Sequence, residues 1–191
     1  MDVKGYHGLS CETAESTIGH NRTRDCLADC FAQADPGTDT EVPGLCPRAP
    51  TLRPADILSK AAHPTQIVAV GVGIRAPHAS TAGDEPLESM RSDKIIKYAP
   101  HLEDLRVQGI IFQPAIFSAY GRRHPSATQM IKSSVAKAIK RRGNVGGERL
   151  LRWWLRQISA ETWRRAAKMI LACLPRLTFT TTLAEEDMPD D

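Results

Sequence analysis

The stretch IVAVGVGIRAP, residues 67–77, has the spacing of a phosphate-binding loop. Gly71, Gly73 and Ala76 satisfy G-x-G-x-x-A, the pattern with which a strand-to-helix turn cradles a dinucleotide pyrophosphate. Such a turn needs a helix that begins within it, because the pyrophosphate binds the free N–H groups at the helix N-terminus. Here a proline and a run of loop-forming residues follow, and the next helical pattern begins only near Glu85. The pattern therefore favours a strand over a cofactor site.

A second group of potential ligands lies near the N-terminus. His7 and Cys11, in HGLSC, have the H-x3-C spacing of half a zinc site. Tetrahedral zinc needs two more ligands, for example His20 with Cys26 or Cys30. Cys26 and Cys30 are four apart in a helical pattern with apolar neighbours, so buried thiols are the plainer interpretation for them. The pattern favours the remains of a zinc knuckle over a complete zinc site.

Positive charge is concentrated towards the C-terminus. Residues 122–176 hold 14 lysines and arginines against two acidic residues, whereas the rest of the chain holds 11 basic and 20 acidic residues. A basic helical block on an otherwise acidic chain is typical of a surface that meets a polyanion, and a solvated helix face is the alternative. We expect nucleic acid as the partner. The residues predicted to contact it are Arg122, Arg123, Lys137, Lys140, Arg141 and Arg142.

Three tryptophans in the last part of this block lie among arginines. Aromatic rings between arginines can stack on bases. The apolar stripe through Leu151, Leu155 and Ile158 includes Trp154, however, and favours packing for that ring. Trp153 and Trp163 keep both interpretations open.

Length and composition indicate one domain. With 191 residues and a hydrophobic fraction of 41%, the chain is long enough for one core with tails. Its apolar runs fall short of the roughly 20 residues that span a bilayer, and its N-terminus lacks the charged-then-apolar pattern of a secretory signal. We therefore expect an intracellular protein with no membrane contact. The five cysteines, an odd number, predict reduced thiols rather than a disulfide framework.

The elements that must position these residues follow from periodicity and breakers. The pattern predicts an α/β domain with a helical C-terminal extension. Pro100 should kink or split the second helix. The predicted elements are a helix at 20–34, strands at 40–45, 53–58 and 66–74, a helix at 85–107, a strand at 110–121, and helices at 124–143 and 148–175.

Seven phrases along the chain resemble, in order, the C-terminal region of reverse-transcriptase-like proteins of retroelements. They are GYHGLSC, HNRTRD, EVPGL, LRPADILSKAA, DKIIKYAPHL, FSAYGRRHP and MILACLP. In site-specific non-LTR retrotransposons, that region is a restriction-endonuclease-like nuclease of the PD-(D/E)XK type. The resemblance covers roughly residues 5–175 and implies an αβββαβ core.

The resemblance divides the chain into four parts. Residues 1–16 are an N-terminal segment with half of a zinc knuckle, whose preceding cysteine pair is missing here. Residues 17–143 are the endonuclease-like core and 144–175 a basic amphipathic helical extension. Residues 176–191 are an acidic tail whose composition predicts disorder.

The resemblance also implies a site for metal-dependent cleavage of DNA, with Mg²⁺ as the cofactor and zinc not expected. Asp56, in RPAD, matches the first acid of the family motif, and Glu41 matches a glutamate on the preceding strand; both would bind Mg²⁺. Lys94 matches a lysine that these nucleases place on the helix after the third strand. Tyr98, four residues on, shares its helix face. Carboxylates hold the cation that polarises the phosphate, and a lysine balances the developing charge.

One position departs from the family pattern. Related sequences read Asp-Val-x-Val on the third strand, and Gly71 stands where that aspartate belongs. A glycine offers no metal ligand, so the resemblance implies a degenerate endonuclease, acting on DNA rather than RNA and nuclear if it serves a retroelement. The alternatives are a non-catalytic nucleic-acid-binding module, a remnant without function, and an active nuclease that holds one cation with Asp56 and Glu41.

Overall fold

The chain folds into a four-stranded sheet with helices packed on it. The computed structural model describes residues 14–76, 85–143 and 146–173, so His7, Cys11 and the acidic tail lie outside the described residues. The α/β class and the order of elements predicted from the sequence are confirmed. The elements are α1 (Ala14–Ala32), β1 (Asp39–Val42), β2 (Ala55–Ser59), β3 (Ile67–Arg75), α2 (Pro86–Tyr98), a 3₁₀ helix (Ala99–His101), α3 (Leu102–Val107), β4 (Ile110–Ser118), α4 (Pro125–Arg142) and α5 (Gly147–Cys173).

The sheet has the strand order β1-β2-β3-β4. β2 runs antiparallel to β1 and β3, whereas β3 and β4 are parallel. β3 is an inner strand and is buried from Val68 to Gly73, as its unbroken β-branched and small residues suggest. Residues 67–75 thus form a strand, which confirms the strand interpretation of this stretch.

Apolar side chains pack on both faces of the sheet. On one face, Ile57 and Val70 join a main core with α1, α4 and α5, which includes the fully buried Phe31 and Phe117. On the other face, Ala69 joins a smaller cluster, because successive strand residues point to opposite faces. This second cluster contains Leu45, Cys46, Ala55, Leu105 and Ile110.

The predicted break at Pro100 is confirmed. α2 ends at Tyr98, Pro100 lies within the 3₁₀ helix, and α3 begins at Leu102. Proline lacks the N–H that would continue the helical hydrogen bonds, so the chain tightens and changes direction there. His101, at the end of this turn, leads directly into α3.

Helix α5, predicted as an extension, contributes to the main core. Trp154 and Ile158 lie in the main cluster, and Met169 is also buried. α5 packs along α1 and α4, which cover the sheet. Its removal would therefore expose apolar surface of the helices beneath it.

Replacing Ile158 by alanine should test this packing. Ile158 is fully buried, and such a truncation costs about 2–5 kcal/mol. Leu171→Ala, on the exposed side of the same helix, is the matched control and should change the free energy of unfolding by less than about 0.5 kcal/mol. Urea denaturation measures both, and equal effects would show that α5 does not belong to the core.

Candidate functional site

Asp56 is the centre of a polar cluster on the sheet. The β2–β3 register pairs Ile57 with Val70, and one step further it brings Asp56 opposite Gly71. Opposed residues of an antiparallel pair point to the same face. The Val72 N–H donates a hydrogen bond to Asp56 Oδ2 at 2.6 Å, and His20 Nε2, from α1, lies 3.7 Å from Oδ1.

Lys94 reaches this cluster across Gly71 and Gly73, the two positions of β3 that carry no side chain. A Cβ placed on Gly71 would lie 3.7 Å from Lys94 Nζ. A Cβ placed on Gly73 would lie 3.0 Å from Lys94 Cε, 3.0 Å from Met90 Sδ and 2.8 Å from Ile116 Cδ1. The aliphatic stem of Lys94 therefore occupies space that a larger residue at 73 would need. The two glycines let α2 approach the strand and leave room for the lysine.

Asp56 and Lys94 are electrostatically coupled. Burial raises the pKa of Asp56, but His20, the positive charge of Lys94 and the Val72 N–H outweigh it and hold the pKa below its ordinary value. Burial also lowers the pKa of Lys94, and the charge of Asp56 offsets this only in part. Because the pKa of Asp56 is lower in the folded protein, its ionised form stabilises the fold above the ordinary carboxyl pKa. That stabilisation is lost as pH falls through the lower, folded value.

Tyr98 lies on the same side of α2 as Lys94, as the helical spacing predicts. Its ring packs against Phe112 with centroids 4.8 Å apart, and its hydroxyl donates to the Arg53 carbonyl at 3.4 Å. Burial, then the charge of Asp56, raises the pKa of this phenol. Tyr98 therefore ties α2 to the chain that enters β2.

Glu41 lies beside two arginines. Its carboxylate forms ion pairs with Arg24, through Oε1, and with Arg53, through Oε2 at 3.1 Å. Its backbone has a φ of 52°, in the left-handed region. Two guanidinium groups thus contact the two carboxylate oxygens of Glu41. Its role as a metal ligand beside Asp56 stays a prediction.

The donors around Asp56 do not suit Mg²⁺. Magnesium prefers several oxygen ligands in octahedral geometry. The described residues bring one carboxylate, the ammonium group of Lys94 and the imidazole of His20 to this place, and Gly71 brings no side chain. The cluster therefore offers Mg²⁺ a single carboxylate among the described residues.

Helix α2 is held at its other end by a histidine. His124 Nδ1 accepts the Ser126 N–H at 3.1 Å and so caps α4. Its Nε2 lies 2.7 Å from a carboxylate oxygen of Glu88 on α2. Because Nδ1 is an acceptor, Nε2 carries the proton and donates to Glu88. This link fixes α2, and with it Lys94, relative to α4.

Arg123 is a structural residue. Its guanidinium donates to the Leu155 carbonyl at 3.1 Å and to the Ser159 hydroxyl. Burial lowers its pKa. It thus ties the β4–α4 turn to α5, and its contact with nucleic acid stays a prediction.

Lys137 and Arg141 also bind the protein itself. The Lys137 ammonium donates to the carbonyls of Lys60 and His63, the latter at 2.6 Å. Its contact with nucleic acid stays a prediction. Arg141 donates to the Ala34 carbonyl at 3.2 Å while its side chain stays exposed. Lys137 thus ties α4 to the loop after β2, and Arg141 ties α4 to the turn after α1.

The other predicted basic residues face solvent. Lys140 and Arg142 are exposed in the last turn of α4. Arg122 is also exposed and lies 3.8 Å from the Glu85 carboxylate. These three remain open to an external partner.

The tryptophan pair on α5 separates into a core ring and a surface ring. Trp154 is buried, as its apolar stripe predicts, whereas Trp153 is 48% exposed and meets Trp154 edge-on. Arg149, Arg152 and Arg156 surround Trp153 along an open groove. We name Arg149, Arg152, Trp153 and Arg156 the Trp153 face. Arg152 forms an ion pair with Glu148. Among the described residues, no acidic side chain pairs with Arg149 or Arg156, so the face keeps a net positive charge.

Sequence reasoning placed His20 only among potential zinc ligands. The position of His20 beside Asp56 depends on how α1 packs on β2. No local sequence pattern predicts that contact. No family model, curated protein or solved structure matches the chain. Within the described residues, no helix is long and apolar enough to cross a bilayer. Function is therefore inferred from geometry and charge.

Removal of the negative charge of Asp56 and removal of the positive charge of Lys97 should move the pKa of Lys94 in opposite directions. Asp56→Asn removes the charge that raises the pKa of Lys94, so that pKa should fall further. Lys97→Ala removes a charge that lowers it, so the pKa should rise. Side-chain NMR titration of Lys94 measures both. An unchanged Lys94 pKa in Asp56→Asn would contradict the coupling.

Proposed function

We propose that the chain is a degenerate endonuclease-like domain that binds DNA and has lost ordinary metal-dependent cleavage. The observation that carries the proposal is the position of Gly71, opposite Asp56 and beneath the Lys94 ammonium group. The resemblance of the sequence phrases to retroelement endonuclease domains supports it. So does the succession of a helix, three strands, a helix and a fourth strand, which suits a restriction-endonuclease-like core.

The loss of cleavage follows from charge and ligand count. A phosphodiesterase of this kind needs carboxylates around a cation and a positive group for the developing charge. Asp56 is one carboxylate, Gly71 supplies none, and both oxygens of Glu41 bind arginines. Lys94 and Asp56 partly neutralise each other, so neither is free for its ancestral role.

DNA binding is supported by the Trp153 face. Arginines contact phosphates, and an exposed ring can stack on an unpaired base. On its other side, Trp153 borders Asp25, Asp29 and Glu161, which would repel a polyanion. The nucleic acid is therefore expected along the arginine side of the ring, towards Arg149 and Arg156.

Binding of a short DNA duplex should weaken with salt in proportion to these contacts. The logarithm of affinity should fall with the logarithm of salt concentration by about 0.9 per phosphate contact. Arg149→Ala and Arg156→Ala should each reduce that slope by about 0.9. Arg106→Ala, an exposed arginine on α3, is the charge-matched control and should leave it unchanged. Fluorescence anisotropy measures the slopes, and salt-independent binding would reject this surface.

Restoring an acid at position 71 should restore metal-dependent cleavage. A Cβ there would lie 3.0 Å from Phe112 Cε2 and Cζ, so Gly71→Asp is combined with Phe112→Leu to make room. The double variant should nick supercoiled plasmid in Mg²⁺, whereas the wild-type protein and Phe112→Leu alone should not. Gly71→Asn with Phe112→Leu is the isosteric control without the charge.

Two outcomes would contradict the proposal. Nicking by the wild-type protein that Asp56→Ala abolishes would show an intact nuclease. Failure of the Gly71→Asp, Phe112→Leu protein to gain Mg²⁺ binding, while it remains folded, would show that position 71 does not face a metal site with Asp56.

A further inference from the structure

A cysteine, a histidine and an aspartate converge beside the second apolar cluster. Potential ligand atoms of Cys46, His101 and Asp104 all lie within 4.8 Å of one another. Cys46 belongs to the loop between β1 and β2, His101 ends the 3₁₀ helix, and Asp104 lies in the first turn of α3. Three separate parts of the chain thus bring one sulfur, one nitrogen and one oxygen donor together.

The three donors are buried and incompletely satisfied. Cys46 is fully buried, and the Asp104 side chain is 12% exposed. His101 Nδ1 and Asp104 Oδ2 are both buried, and neither has a hydrogen-bond partner among the described residues. A buried polar atom without a partner costs about 1–3 kcal/mol. A ligand that bound His101 Nδ1, Asp104 Oδ2 and the Cys46 sulfur together would remove this cost.

Arg48 orients the aspartate. Its Nε donates to Asp104 Oδ1 at 2.9 Å, and its Nη2 lies 2.8 Å from the same oxygen in an ion pair. This leaves Oδ2 facing the cluster with no partner among the described residues. A carboxylate with one oxygen held by a neighbour and the other directed at a metal is the usual arrangement around protein metal sites.

The donor set favours some metal ions over others. A thiolate is a soft ligand that Mg²⁺ and Ca²⁺ avoid, whereas sulfur, imidazole nitrogen and carboxylate oxygen together suit Zn²⁺. We propose that Cys46, His101 and Asp104 bind a zinc ion, with water in the fourth position. Binding displaces the Cys46 thiol proton to solvent and fastens the β1–β2 loop to the joint between α2 and α3. None of these three residues belongs to the half-knuckle pattern of His7 and Cys11.

Metal titration of the full chain tests the site. After treatment with a chelator, the protein is titrated with Co²⁺, whose thiolate bond gives a charge-transfer absorption band, and then with Zn²⁺ against a chromogenic chelator. The wild-type protein should show the band and bind zinc. Cys46→Ser should abolish the band, and Cys46→Ser and Asp104→Asn should each weaken zinc binding by more than about tenfold.

Two further variants test whether the bound metal lies at this cluster. His7→Ala with Cys11→Ser removes the half-knuckle and should keep the band. Arg48→Ala changes an exposed side chain, so it tests the site even if a buried variant fails to fold, and zinc binding should weaken by about 10–100-fold. The proposal is overturned by a wild-type protein without the band, by loss of the band in the His7, Cys11 variant, or by unchanged zinc affinity in Arg48→Ala.

Discussion

The candidate site depends on the free space above Gly71 and Gly73. A Cβ at position 73 would collide with Ile116 and crowd Lys94, and one at position 71 would press on Phe112. Because β3 is bare there, α2 packs closely enough for Lys94 to reach the buried end of β2. The glycines that suggest a phosphate loop in the sequence are thus packing residues, needed for helix and strand to approach.

The free space above Gly71 and Gly73 also explains how the positive charge of Lys94 comes close to the carboxylate of Asp56. Asp56 is largely removed from water, and a buried carboxylate needs a positive or hydrogen-bonding partner. On the proposed function, Lys94 supplies beside Asp56 the positive charge that a cation would otherwise bring. The position of α2 is fixed at both ends, by His124 on Glu88 and by Tyr98 on the chain before β2. The lysine is therefore held in place by the fold.

The sequence predicts the local features and misses the remote contacts. β3 is recognisable because its apolar run is continuous, and Tyr98 falls beside Lys94 because helical spacing alone decides it. Glu41 cannot be predicted in the same way, since its arginine partner on α1 depends on tertiary packing. Cys46 and His101 are likewise far apart in the chain, and only the fold brings them together. Charge counting predicts a basic surface but cannot tell which cations, such as Lys137, bind the protein itself.

The most direct test of the account is a crystal structure of the Gly71→Asp, Phe112→Leu protein grown with Mn²⁺. On the proposed function, position 71 and Asp56 face each other across one metal position, and the natural glycine supplies no second carboxylate there. The account predicts an anomalous peak between Asp56 and the introduced carboxylate, with Lys94 displaced from between them. A folded protein in which that carboxylate points away from Asp56, with no peak beside either acid, would contradict it.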